Sequence, residues 1–82
     1  MKIETIDDTI EVGAVFKNDK IIPRWFLWEK RKYSVLEVNY IWNDRCGTEK
    51  IFCFSVTDGT NTYEISFNAE RTTWKLNKIC EA

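Results

Sequence analysis

The sequence predicts a small all-β domain, an antiparallel meander of five or six strands forming either a small SH3-like barrel or a strongly curved sheet. Three observations carry this. Ile10, Val12, Ala14 and Phe16 alternate with Glu11, Gly13, Val15 and Lys17, the period-two pattern of a strand with one buried face. The same pattern returns further along the chain, and no segment sustains a 3.6-residue apolar period over three turns. Short polar or charged breaks separate the apolar runs, as hairpin turns require. With 82 residues the chain can build one core, so residues 1–82 form a single domain.

Taken in order, Lys2 to Thr9 either adds an edge strand through Ile3 or frays, so residues 1–8 are a candidate flexible leader. Asn18-Asp19-Lys20 is a polar turn. Ile21 to Trp28 is the next strand, with Pro23 near its start, where a missing N–H is tolerated. Glu29-Lys30-Arg31-Lys32 is a charged turn that folds the chain back into Tyr33 to Trp42. There the alternation slips, since Tyr33 and Val35 are odd-numbered and Val38, Tyr40 and Trp42 even. A β-bulge or bend near Leu36-Glu37 would bring both sets to one face. Asn43 to Glu49 reads as a polar loop. Lys50 to Thr57 places Phe52, Phe54 and Val56 on one face, and Asp58-Gly59-Thr60-Asn61 is the clearest hairpin turn. Tyr63, Ile65 and Phe67 point inward from Thr62 to Asn68. After Ala69-Glu70-Arg71, read as a single helical turn, Trp74 and Leu76 share a face while Ile79 is out of phase.

Composition narrows function. The net charge is −1, too small for a strong overall field. Its distribution is uneven, with a sum of −3 over residues 1–16, +4 over residues 17–32 and −2 over the rest. The first residues lack the cationic and apolar regions of a secretory signal, and no apolar run approaches a membrane span of about 18 residues, so a cytoplasmic address is expected. Cys46, Cys53 and Cys80 are odd in number and never C-x-x-C, and read as reduced thiols. There is no histidine, which removes the usual general base and the commonest zinc ligand. The three glycines are isolated, so no phosphate-cradling loop forms. Neither catalysis, a cofactor nor a metal is expected.

The stretch from Arg24 to Trp42, RWFLWEKRKYSVLEVNYIW, carries the binding argument. Alternation puts Phe26 and Trp28 on one face and Trp25 and Leu27 on the other. Either Trp25 packs beneath the N-terminal strand or the Asn43 to Glu49 loop, or it joins an exposed apolar patch that marks a partner surface. The candidate binding residues are therefore Trp25 and Leu27 with the basic neighbours Arg24, Lys30, Arg31 and Lys32. A protein partner or a second copy of the chain is the leading expectation. Single-stranded nucleic acid, with rings stacking bases and cations tracking the backbone, is the alternative.

Pro23-x-x-Phe26-x-Trp28, Arg31-x-Tyr33-x-Val35-x-x-Val38-x-x-x-Trp42, Tyr63-x-Ile65-x-Phe67 and Trp74-x-Leu76 together resemble a group of short bacterial all-β domains of unknown function. The resemblance spans about residues 22 to 77 and rests on aromatic core positions. Members of that group are often encoded near DNA polymerases of the damage-tolerance type. The resemblance carries over no catalytic motif. Arginine-rich surfaces occur in some members, and this lysine-rich chain departs from them.

Overall fold

The computed structural model describes residues 2–82. Met1, the first residue of the candidate leader, lies outside the described residues. The chain forms seven strands: β1 (Lys2–Lys17), β2 (Lys20–Trp28), β3 (Arg31–Ser34), β4 (Glu37–Cys46), β5 (Glu49–Thr57), β6 (Thr62–Asn68) and β7 (Thr73–Glu81). All neighbours are antiparallel, in the order β3-β2-β1-β7-β6-β5-β4. This is a meander broken once, where β7 returns beside β1.

Seven strands replace the five or six expected because the run Tyr33 to Trp42 divides. At Val35-Leu36 the chain leaves one end of the sheet for the other. The Val35 amide donates to the Arg24 carbonyl and the Leu36 amide to the Thr57 carbonyl, both at 2.8 Å. The terminal strands β3 and β4 are thus consecutive in the chain yet share no ladder, and the sheet stays open with no closed barrel.

β1 divides the sheet into two arms. Its first half, Lys2 to Ile10, pairs with β7, and its second, Glu11 to Lys17, pairs with β2. Lys2 to Thr5, which the sequence left as edge strand or frayed leader, lie in the β7 ladder. Rings from the two arms meet: Phe26 on β2 lies 5.1 Å, centroid to centroid, from Tyr63 on β6, and Phe16 on β1 lies 5.8 Å from Phe67 on β6. In a flat sheet β2 and β6 would stand about 14 Å apart, three spacings of about 4.8 Å. Side chains from both arms therefore meet in one core, in which Phe26, Phe54, Val56, Ile65 and Leu76 are almost wholly buried.

Bulges account for the phase slips. In the β6–β7 ladder Ile65 pairs with Leu76 but Glu64 with Lys78, so Asn77 is an extra residue and Ile79 returns to the core face. The chain bends at Val35-Leu36, close to the expected Leu36-Glu37, and Tyr33, Val35 and Val38 pack on the core. In the β4–β5 ladder Val38 pairs with Val56 and Tyr40 with Ser55, so Asn39 is a further, unexpected extra residue. That position reverses the expected facing. Val38 packs on the core, while Tyr40 and Trp42 are 72% and 38% exposed on the opposite side. Two further readings are corrected. Asn43 to Cys46 continue β4, so the expected loop shrinks to Gly47-Thr48, and Ala69 to Thr72 form a turn rather than a helical one.

Two hairpins use two-residue links with both residues left-handed: Asn18 and Asp19 at φ 52° and 62°, Glu29 and Lys30 at φ 51° and 64°. This backbone matches the right-handed twist of paired strands. Asn and Asp tolerate it, whereas Glu and Lys adopt it at a cost of about 1–2 kcal/mol each.

Candidate interaction surface

The six residues singled out by sequence all belong to the β2–β3 hairpin. The register pairs Trp25 with Ser34, Phe26 with Tyr33, Leu27 with Lys32 and Trp28 with Arg31. One face is core. Phe26 stacks on Tyr33 at 5.0 Å with planes 10° apart, and the Trp28 indole N–H donates to Asp8 Oδ2 at 2.9 Å. The other face carries Trp25, Leu27 and Lys32.

Trp25 is half-buried, and the residue that covers it is Gly13, its cross-strand partner on β1. A Cβ on Gly13 would overlap the indole, so the ring lies directly over the bare glycine backbone. Ring and glycine compensate each other, the pairing known as aromatic rescue of a strand glycine. The Lys32 ammonium sits over the indole, 5.0 Å from its centroid, a contact worth about 0.5–1 kcal/mol at such a site. Trp25 thus packs against the N-terminal strand, one of the two alternatives the sequence left open. Leu27 is half-buried beside it, while Arg24, Lys30, Arg31 and Lys32 are exposed.

A concavity of about 600 Å³ crosses the outer face of the five-stranded arm. Two ion pairs border it, Arg71–Glu49 at 2.8 Å and Lys75–Asp7 at 3.3 Å. Ser66 and Asn77 line it, and the Asn77 side-chain amide donates to Ser66 Oγ at 3.2 Å and to the neighbouring Glu64 Oε2 at 3.3 Å. These groups satisfy one another.

Among the described residues three ionisable groups depart from their ordinary values. Burial pushes the Cys53 thiol up to about 11, helped by the nearby Asp44 and Glu64 charges. Burial would also raise Asp58. Hydrogen bonds from the Asn61 and Thr60 amides and the Tyr63 hydroxyl outweigh it and hold the carboxyl below its usual value. Tyr63, buried and donating to Asp58 at 2.8 Å, is pushed up to about 12. Asp58 and Tyr63 secure the β5–β6 turn. Among the described residues no group of three metal-ligating side chains converges, and no helix is long and apolar enough to cross a membrane.

The sequence missed the surface at the other end of the sheet. Among the described residues β4 pairs only with β5, so one side of its ten-residue backbone is unpartnered there. From Val38 to Asn43 it carries no charge, and Tyr40, Ile41 and Trp42 are 72%, 63% and 38% exposed. Past the bulge at Asn39, Tyr40 to Cys46 run in unbroken register, with Tyr40 and Trp42 on the outer face and Ile41 and Asn43 on the core side. Ile41 and Asn43 line a mainly apolar groove of about 330 Å³, whose other walls are Ile21, Phe52 and Phe54, with the charged Asp19 and Lys20 completing the lining. The opposite terminal strand, β3, is only four residues long and includes Arg31 and Lys32, a short cationic edge of the kind that resists strand addition. The signal for the β4 surface was present in the Val38–Asn43 run, but the expected bulge position turned its rings inward.

No protein-family model, no curated protein and no solved structure matches the chain, so the reading of this surface rests on its own geometry.

Proposed function

We propose that the protein is a small non-catalytic interaction module that binds a protein partner by accepting an extended strand along the free edge of β4. The observation that carries this is the coincidence of an uncharged, unpaired strand edge with the apolar groove beside it. Strand addition draws affinity from main-chain hydrogen bonds and specificity from pockets that take alternate side chains. The β4 backbone offers the first, and the groove under Ile41 and Asn43 offers the second. The ionisable groups with shifted values serve a turn and a packed strand, which supports a binding rather than a catalytic role.

Peptide-display selection against the wild-type domain is expected to enrich extended sequences with apolar residues at alternate positions. Ile41→Lys should abolish their binding while leaving the far-ultraviolet circular dichroism unchanged. Failure to enrich any peptide, or enrichment indifferent to Ile41→Lys, rejects the proposal.

The competing reading, binding of single-stranded nucleic acid, is favoured by one observation: Arg24, Lys30, Arg31 and Lys32 enter no ion pair among the described residues. It is weakened by Trp25, whose ring lies over Gly13 and beneath Lys32 and so makes a poor stacking platform. Oligonucleotide affinity that falls steeply with salt and disappears in the Lys30, Arg31, Lys32 triple alanine variant would establish this reading in place of the first.

A further inference from the structure

We infer that the strand received by β4 is the β4 of a second copy, paired antiparallel about a two-fold axis through Trp42. The inference rests on the proposed use of the β4 edge and adds the identity of its occupant.

The occupant has to present an apolar side chain to the groove and an uncharged, ring-bearing backbone to the edge. β4 itself has both properties. In a symmetric antiparallel pair, opposed residues have numbers with a constant sum. Only an even sum keeps the core sides of the two sheets continuous, because successive side chains alternate between faces. Centring on Trp42 uses Tyr40 to Asp44, all within the regular stretch beyond the Asn39 bulge. Trp42 then faces Trp42 of the second copy on the outer side, an aromatic cross-strand pair. Tyr40 faces the other Asp44, so a phenol donor meets a carboxylate at both ends of the contact. On the core side each Ile41 lies opposite the other copy's Asn43, over the groove walled by Phe52 and Phe54.

Centring on Ile41 would bring the bulged Asn39 into the pairing, and centring on Asn43 would set Ile41 against Arg45. The Trp42 register alone pairs the two indoles and keeps the other copy's charged groups away from Ile41 without crossing the bulge. The two five-stranded arms then continue as one sheet, and each β4 loses its free edge.

The contact is small. At 72% and 38% exposure, Tyr40 and Trp42 leave about 165–275 Å² of ring surface open per copy, against about 800 Å² for a standard interface. Such a contact belongs with weak, transient associations.

Sedimentation velocity across about 5–500 µM protein is expected to show a reversible monomer–dimer equilibrium that Ile41→Lys removes and Tyr40→Thr weakens. Both variants should keep the wild-type circular dichroism. In a background with Cys46→Ser, Cys80→Ser and Cys53→Ala, the last because Cys53 is the cross-strand partner of Trp42, Trp42→Cys should oxidise to a disulfide-linked dimer, because self-opposed Cα atoms about 4.5–5.5 Å apart suit that bond. Tyr40→Cys in the same background should not. A protein that stays monomeric throughout, a dimer that survives Ile41→Lys, or a cross-link at position 40 in place of 42 overturns the inference. If the domain is monomeric but still selects extended peptides that the Ile41→Lys variant rejects, the second copy is excluded and strand addition stands. If it is monomeric and selects none, both fall.

Discussion

Exchanging Gly13 for alanine tests whether Trp25 serves the fold. The new methyl group would overlap the indole, so the ring has to leave its place on β1. If it gives up about 100 Å² of cover, the loss is about 2.5 kcal/mol at about 25 cal/mol/Å². Alanine in a strand recovers about 0.5–1 kcal/mol of the backbone entropy that glycine forfeits. The net expectation for Gly13→Ala is a destabilisation of about 1.5–2 kcal/mol, a fall of about 6–16 °C in Tm for a domain of this size. In a Trp25→Ala background the overlap is gone, and the same substitution should stabilise by about 0.5–1 kcal/mol. The double-mutant cycle therefore has a coupling energy of about 2–3 kcal/mol and a change of sign. Urea unfolding followed by far-ultraviolet circular dichroism avoids the loss of a fluorophore. Gly13→Ala destabilising equally with and without Trp25 would refute the compensating pair and return Trp25 to the list of candidate partner contacts.

Four other expectations use the same reasoning. Replacing Glu29-Lys30 by Asn-Gly relieves two left-handed residues in the β2–β3 link and should raise stability by about 1–2 kcal/mol in urea unfolding, with no change of register. Asp58 has a lowered folded-state value, so its contribution is present above the ordinary carboxylate range of about 4 and is lost as pH falls through the folded value. Asp58→Asn should thus cost stability at neutral pH, and the gap to wild type should close below about pH 4. Tyr63 behaves oppositely, its contribution full below 10 and lost as pH rises through about 12, so Tyr63→Phe should flatten the alkaline limb of the stability profile. Finally, Cys53 is buried and its thiol raised to about 11, whereas Cys46 is exposed. Titration with a thiol reagent at neutral pH should label Cys46 at once and Cys53 only on unfolding.

The period-two alternation along Ile10 to Phe16, Phe52 to Val56 and Tyr63 to Phe67 determined the class of the fold and most of its core, because the pleat sends alternate side chains to opposite faces whatever the partner strand. The hairpin turns were legible for a similar reason: glycine, asparagine and charge clusters act locally. The sequence also narrowed Trp25 to two environments. Three features depended on tertiary structure. Bulges at Asn39 and Asn77 shift which residues face the core, and one extra residue is invisible to a periodicity that only counts along its own strand. The division of β3 from β4 rests on two amides bonding to opposite ends of the sheet. The free edge belongs to β4 because β7 returns to pair with β1 and leaves β4 at the end of the order. Strand order is set by contacts between residues far apart in sequence, so the surface proposed to bind a partner could be recognised only after the whole sheet was assembled.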